Sequence, residues 1–206
     1  IQDSLVGSEM CIRDRTYTGN VELTDAADDE IFATDITTIE GNTSGSVTVK
    51  NKIDIKGTAS DVDAAIKDVD TFSDTTTNAD VTLTSDPTLA QLVSINNKIE
   101  GTITLNDHTV ALSGSTADVK AALAGNLVPP YTGHVTLTDT HDLAELKAIN
   151  DATSGTITLF DYTVDLSGST ADIKDALDGF GSTYTGNVIL TDAADDEIFA
   201  TDITTI

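Results

Sequence analysis

The chain has few of the residues on which many small domains depend. Its 206 residues contain no Trp, one Cys and one Met, and aromatic side chains make up 4% of the sequence. A single Cys excludes a disulfide framework and any metal site built from several cysteines. A core without Trp must be built from Val, Ile, Leu and Ala. No apolar stretch approaches the roughly 20 residues that a membrane span needs.

Basic residues are also scarce. Ten Lys and Arg side chains stand against 35 Asp and Glu side chains, which gives a formal net charge of -25. This balance argues against nucleic acids and anionic membrane surfaces as partners, because both attract Lys and Arg. The hydrophobic content of 39% is nevertheless enough for a packed core, so the composition indicates a folded protein.

Residues 1–15 differ in composition from the rest of the chain. They hold the only Cys, the only Met and the only Arg side chains, and residues 4–15 read SLVGSEMCIRDR. That string resembles a translated sequencing adapter, so we predict a non-native leader over residues 1–15 and leave it out of the fold prediction. The alternative is a genuine amphipathic lead-in. The remainder is then expected to be an environmental fragment of a longer protein.

The remainder is a tandem repeat. A V-x-L-T motif begins at Val21, Val81, Val135 and Val188. A second motif begins at Gly45, Gly101 and Gly155 and reads GSVTV, GTITL and GTITL. Two motifs with the same period, close to 53 residues, divide the chain into repeats. The predicted units are repeat 1 (16–78), repeat 2 (79–130), repeat 3 (131–182) and a truncated repeat 4 (183–206).

A longer period lies on top of the short one. Residues 16–39 and 183–206 are the same string of 24 residues with one difference, Glu22 against Ile189. Such near-identity indicates a recent duplication, and misassembly of sequencing reads is the alternative.

The local pattern predicts strand, helix, strand, strand and helix in each repeat. In repeat 3, residues 131–139 alternate as a half-buried strand does. The stripe Leu143, Leu146 and Ile149 then predicts a short helix with one buried face, which Asp139 or Thr140 can cap.

Two strands and a second helix follow. A break at Asp161 separates the strands. Asn106 and Asp107 occupy the same break one repeat earlier, which suits a hairpin or a tight turn. Leu166, like Leu112 one repeat earlier, is predicted to face the core. Ser169 or Thr170 can cap the second helix, which buries Ile173 and Leu177.

The predicted fold class is therefore α/β, with tandem repeats of about 53 residues. One such unit buries little core by itself. We expect the repeats to stack as a β/α solenoid, and a string of small α/β domains is the alternative.

The motifs YTGxVTLTD, LAxLxxIN, ATSGTITL and VxLSGSTADxKxAL occur within residues 16–206. Their combination resembles repeats of very large cell-surface and secreted proteins of marine bacteria. These include giant swimming-associated surface proteins of marine cyanobacteria and hemolysin-type secreted proteins. The resemblance implies an extracellular or cell-surface location, a structural or adhesive role and, often, calcium dependence. The glycine-rich nonapeptide that binds calcium in hemolysin-type repeats does not occur here, so calcium is not carried over.

One acidic cluster is the candidate metal site. In the two copies of the 24-residue string it comprises Asp25, Asp28, Asp29, Glu30, Asp192, Asp195, Asp196 and Glu197. Crowded carboxylates repel one another unless a hard cation joins them, and calcium takes six to eight oxygen ligands. The alternative is a solvated acidic loop that needs no metal.

Catalytic and cofactor-binding residues are not predicted. His108, His134 and His141 occupy three different repeat positions and form no metal-binding spacing, so we expect surface histidines. The sequence contains no nucleophile elbow, Gly-rich phosphate loop or H-E-x-x-H motif.

The leading hypothesis is a non-catalytic extracellular array that serves as a cell-surface spacer, a surface layer or an adhesin stalk. Its expected partners are neighbouring repeats of the same long chain and, in an adhesive role, cell-surface glycans or other surface proteins. Two alternatives stay open: a calcium-dependent ligand-binding module, and an enzyme fragment that acts on polysaccharide through a carboxylate pair. Repetition argues against the enzyme, because duplicated units rarely all keep a unique site.

Overall fold

Short parallel strands alternate with helices along the chain. The computed structural model describes residues 16–73, 79–178, 180 and 182–193, and within them the predicted α/β class is confirmed. The helices described there are α1 (Ala33–Gly41), α2 (Ala59–Asp68), α3 (Leu89–Lys98), α4 (Thr116–Leu123), α5 (Leu143–Ala152) and α6 (Thr170–Leu177). In these ranges we find no helix whose length and hydropathy would suit a membrane span.

The strands are two to five residues long. They are β1 (Val21–Leu23), β2 (Glu30–Phe32), β3 (Val47–Val49), β4 (Ile53–Gly57), β5 (Thr71–Phe72), β6 (Ala79–Leu83), β7 (Thr102–Thr104), β8 (Leu112–Gly114), β9 (Asn126–Val128), β10 (Val135–Leu137), β11 (Ile157–Thr158), β12 (Leu166–Gly168) and β13 (Val188–Leu190).

These strands form four parallel sheets. Their orders are β1-β3-β5, β2-β4-β6-β7-β9, β8-β10-β11 and β12-β13. Parallel neighbours need a crossover connection, and helices provide it: α3 joins β6 to β7, and α5 joins β10 to β11. Each helix also contacts the next helix in the chain, from α1 to α6.

Three sheet contacts cross the predicted repeat boundaries. Strand β4 of repeat 1 pairs with β6 of repeat 2, β8 of repeat 2 pairs with β10 of repeat 3, and β12 of repeat 3 pairs with β13. Each repeat therefore completes a sheet of its neighbour. The boundaries at residues 78, 130 and 182 remain sequence predictions.

The helices form where the apolar stripes predict them. In α3 the stripe buries Leu92 and Ile95, and in α5 the corresponding stripe buries Leu146 and Ile149. The predicted cap of α6 is confirmed, because the Ser169 hydroxyl accepts a hydrogen bond from the backbone N–H of Asp172.

The predicted cap of α5 is wrong. Asp142, the residue directly before the helix, accepts from the N–H of Glu145 at 2.8 Å, and the Glu145 carboxylate accepts from the N–H of Asp142 at 3.2 Å. This reciprocal capping box satisfies two backbone donors. Asp139 lies too early in the chain for this role and bonds to the preceding repeat.

The core consists of short apolar ladders between the sheets and the helices. Ile55, Val81 and Ile103 lie side by side in one sheet and are fully buried. Leu112 and Leu166 occupy equivalent strand positions and are 5% and 2% exposed, so their predicted core role is confirmed.

Two local features differ from the expectations. The strands on either side of the break at residues 106–107 do not form a hairpin, because β7 pairs with β6 and β9 whereas β8 pairs with β10. The break is a turn between two sheets. Repeat 1 also has an additional strand, β2, between β1 and α1, and this strand pairs with β4.

Candidate functional site at the repeat boundaries

The acidic cluster of repeat 1 forms a tight turn between β1 and β2. The Asp29 carboxylate accepts a hydrogen bond from the N–H of Ala26 at 3.0 Å, and the N–H of Asp29 donates to the carbonyl of Ala26 at 3.1 Å. Asp28 has a φ of 65°, a left-handed conformation that Asp tolerates better than most residues. Asp25, Asp28, Asp29 and Glu30 are all exposed.

Lysines of the adjacent strand neutralise part of this cluster. The Lys52 ammonium lies 2.8 Å from Asp28 and 2.6 Å from Asp80, and Lys56 lies 2.9 Å from Glu30. The hydrogen bonds that the Lys52 ammonium donates to Asp28 and Asp80 raise the pKa of Lys52 above its ordinary value. The carboxylates of Asp28 and Glu30 thus lie against Lys ammonium groups. A calcium site would instead need several oxygen atoms that converge on one point.

The calcium prediction itself stays a prediction. Across the described part of the chain, no three His, Cys, Asp or Glu side chains are gathered around a common point. In the second copy of the cluster, Asp192 bonds to Thr170 of the preceding repeat. Asp195, Asp196 and Glu197 lie outside the described residues.

The recurring contacts of the molecule lie where strands of successive repeats meet. We call these contacts seams: an (I/L)-x-G strand of one repeat pairs with the V-x-L strand of the next. The three seams are β4–β6, β8–β10 and β12–β13, and their register is the same. The pairs are Ile55↔Val81, Leu112↔Val135 and Leu166↔Val188, with the Gly two positions later opposite a Leu.

The Thr of each V-x-L-T motif extends the pairing by one residue. Its N–H donates to the Gly carbonyl of the preceding repeat, from Thr84 to Gly57 at 2.8 Å and from Thr138 to Gly114 at 2.9 Å. Thr191 makes the same bond at 2.9 Å to Gly168. The seam register is therefore fixed by backbone bonds outside the strands as well as within them.

The residue after this Thr binds the start of a helix in the preceding repeat. The Asp139 carboxylate accepts from the N–H of Thr116 at 2.7 Å and from its hydroxyl at 2.8 Å. Asp192 accepts from the same two groups of Thr170 at 3.0 and 2.7 Å. The first N–H groups of a helix have no partner within the helix and favour negative charge. These bonds lower the pKa of both carboxylates.

Repeat 2 uses a neutral group in the same place. The Ser85 hydroxyl accepts from the N–H of Ala59, the first residue of α2, at 3.0 Å. The position after V-x-L-T thus bridges two repeats at all three seams.

At two of the three seams, a tyrosine four residues before the V-x-L motif forms the other side of the seam. The Tyr131 hydroxyl donates to the carbonyl of Val110, and the Tyr184 hydroxyl donates to the carbonyl of Val164. Tyr131 is only 4% exposed. Burial raises the pKa of both phenols to about 12.

His141 also belongs to a seam, so its predicted surface position is wrong. It is 5% exposed, and its Nε2 lies 3.3 Å from the Tyr184 hydroxyl. Its Nδ1 is buried without a hydrogen-bond partner among the described residues, and burial lowers its pKa. Repeat 2 has Pro87 at this position, which is also buried. The other two histidines differ: His134 is exposed and His108 is half-buried.

The glycine of the second motif is explained by close backbone approach. A Cβ added at Gly45, Gly101 or Gly155 would overlap a carbonyl oxygen of a neighbouring chain segment, at Gly19, Ala79 or Gly133 respectively. A bulkier residue would push that neighbouring segment away.

Helices that follow one another in the chain are also joined by polar contacts. The Asn96 side-chain amide donates to the carbonyl of Ala121 at 2.5 Å, and Asn150 donates in the same way to Asp175. Lys147 forms an ion pair with Asp175. An open groove of about 480 Å³ lies beside Asn96, Glu100 and Asn126. Among its lining residues, Asn96 joins the two helices, and the Asn126 amide donates to the carbonyl of Glu100 at 3.5 Å.

The seams could have been partly found from the sequence. Tyr17, Tyr131 and Tyr184 share one repeat position, and so do Asp25, Asp139 and Asp192. A polar residue that recurs at a fixed distance from a buried strand signals a recurring contact, although the sequence does not show with what. The contacts described here join one repeat to the next. Comparisons with protein-family models, curated proteins and solved structures found no match to this chain.

Proposed function

We propose that the chain is a segment of a non-catalytic extracellular repeat array, acting as a cell-surface spacer, surface layer or adhesin stalk. The observation that carries this proposal is the repeated seam. At each of the three seams, one repeat is joined to the next by a strand pair and by a contact with the start of a helix. Two of the three seams also have a Tyr–carbonyl bond. The polar residues that recur from repeat to repeat thus serve to join the repeats.

Charge supports an extended, non-aggregating form. The excess of 35 acidic over 10 basic side chains makes copies of the array repel one another. The described ion pairs use several of the lysines within the fold, including Lys50, Lys52, Lys56, Lys67 and Lys147. A negatively charged outer surface therefore remains.

The test is the length of chains with added repeats. One or two further copies of residues 131–182 are inserted after residue 182, and small-angle X-ray scattering is measured on dilute samples. Each repeat adds two helices, and packed helices lie 8–10 Å apart, so the longest dimension should grow by about 16–20 Å per copy. Equal increments and a rigid scattering profile support a stacked spacer. Growth that weakens with each copy, with a flexible profile, would indicate independent beads and overturn the stalk.

The location and the absence of catalysis need separate measurements. Antibodies against the chain should label intact, unpermeabilised source cells if the array is at the surface. Labelling only after permeabilisation, or hydrolysis of a polysaccharide by the purified chain, would contradict the proposal.

A further inference from the structure

One seam contains an ionisable ring at a position where the other two have none. His141 lies directly before Asp142, the N-cap residue of α5, and meets Tyr184 across the β12–β13 seam. Ile31 and Pro87 lie directly before the N-cap residues of α1 and α3. Neither of these two side chains can take up a proton, so the seams differ at this position in how they can respond to acid.

The hydrogen bonds around Tyr184 determine which nitrogen of His141 carries a proton. The Tyr184 hydroxyl donates its one proton to the carbonyl of Val164. Its oxygen can then only accept, so the neutral ring donates from Nε2, which lies 3.3 Å away. Nδ1 is therefore the unprotonated nitrogen of the ring.

A second proton would have to bind at a closed position. His141 is 5% exposed, and its Nδ1 is buried with no hydrogen-bond partner in the part of the chain that the structure describes. A proton added at Nδ1 creates a buried cation and a buried N–H without an acceptor, and both are costly.

The charged groups that act on the ring do not supply that acceptor. They are the carboxylates of Asp142 and Glu145 at the start of α5 and of Asp161 in the turn between β11 and β12. Asp142 and Glu145 accept backbone hydrogen bonds from each other, and Asp161 accepts from the N–H and the hydroxyl of Thr163. Their negative charge favours the imidazolium, but burial outweighs it and lowers the pKa of His141.

We propose that His141 makes the β12–β13 seam open in acid while the β4–β6 and β8–β10 seams stay closed. Separation of residues 184–192 from repeat 3 exposes Nδ1 to water, so the open seam binds the proton more tightly than the closed seam does. A ligand shifts a two-state equilibrium by its difference in affinity for the two states, and the proton is that ligand here. The seam is closed above the ordinary His pKa of about 6.5 and opens progressively as the pH falls below it. The proposal adds a pH response to the array proposed above and rests on it for its biological role.

The three seams carry matched probes for the test. The N–H groups of Thr84, Thr138 and Thr191 each donate to a Gly carbonyl of the preceding repeat. Their protection against hydrogen exchange is measured by NMR in the full chain at about pH 7.5 and about pH 5.5, with correction for the intrinsic exchange rate at each pH. One proton acting over about one pH unit below 6.5 changes the opening equilibrium by at most about tenfold, so the protection of Thr191 should fall by about three- to tenfold. The protection of Thr84 and Thr138 should stay the same.

Substitution of the ring separates this effect from a general loss of stability in acid. In His141→Leu the fall at Thr191 should disappear, and in the control His108→Gln, which changes a half-buried His of repeat 2, it should remain. Equal acid sensitivity at all three Thr N–H groups overturns the proposal, as does a fall at Thr191 that persists in His141→Leu.

The imidazole titration of His141 in the unmodified chain decides the matter if His141→Leu does not fold. A pKa below the ordinary value of about 6.5 supports the proposal, and a pKa at or above that value overturns it. These measurements report on one seam of the isolated chain, whereas scattering and surface labelling test the array, so the two proposals fail separately.

Discussion

Truncating Leu166 tests the register on which the seams depend. Leu166 is 2% exposed, pairs with Val188 across the seam, and lies on a strand in contact with α5 and α6. Leu166→Ala removes three carbon atoms from this site. At about 0.8 kcal/mol per buried methylene the transfer loss is about 2.4 kcal/mol. The cavity left behind adds to it, so we expect a total of about 3–4 kcal/mol, within the range of buried Leu→Ala changes.

The assay is chemical and thermal unfolding followed by circular dichroism. For a chain of this size, 1 kcal/mol lowers the Tm by about 2–4 °C, so Leu166→Ala should lower it by about 6–16 °C. Leu112→Ala should cost a similar amount, because Leu112 holds the equivalent position one repeat earlier.

Ile189→Ala is the matched control. Ile189 lies on the partner strand but is 57% exposed, and exposed substitutions usually change stability by less than about 0.5 kcal/mol. If Leu166→Ala costs no more than Ile189→Ala, the strand does not face the core and the seam register is refuted.

Four further outcomes follow from the described contacts. Burial lowers the pKa of His141. Its contribution to stability is therefore present above the unfolded pKa of about 6.5 and is lost as pH falls below it. In urea titrations, His141→Leu should remove this loss of stability at acid pH, and the control His108→Gln should not. Because burial raises the pKa of Tyr131 to about 12, its contribution to stability is present below about pH 10 and is lost above it. Tyr131→Phe should reduce the late step of an ultraviolet titration to the part that belongs to Tyr184, and an unchanged titration would contradict the buried phenol. Because Lys52 pairs with Asp28, calcium and magnesium at equal ionic strength should raise the Tm equally, whereas a calcium preference that disappears in Asp28→Asn with Asp29→Asn would establish the metal site. Deletion of residues 1–15 should leave the Tm unchanged, and a fall of several degrees would show that they pack on repeat 1.

Sequence periodicity predicts which face of a helix or strand is buried, but it does not predict which strands pair. The stripe of Leu89, Leu92 and Ile95 predicts α3 because side chains three or four positions apart share one side of a helix. Alternation likewise shows which side of β10 is buried. Neither pattern states which strands pair, because any two apolar strand faces are compatible. The break at Asn106 and Asp107 therefore suited a hairpin equally well, although the flanking strands belong to different sheets.

The position of His141 could not be read from its neighbours. Thr140 and Asp142 are both exposed and polar, so the local sequence is typical of a surface loop. Comparison between repeats is more informative, because Pro87 stands at the same position and is also buried. Burial here is imposed by the adjoining Tyr184, which lies 43 residues away in the sequence.

The polar seam contacts fix the strand register, which the small apolar core alone would leave ambiguous. Hydrophobic burial is not directional, and a slip of two residues along a strand keeps the same side chains facing inward. A ladder such as Leu112, Val135 and Ile157 would tolerate that slip with little loss. The slip would, however, separate Tyr131 from the Val110 carbonyl and Asp139 from the first turn of α4. Tyr131 and Thr116, the partner of Asp139, are both buried. Since a buried polar group without a partner is costly, these two contacts select one register. This explains why Tyr and Asp bracket the V-x-L-T motif at two of the three seams.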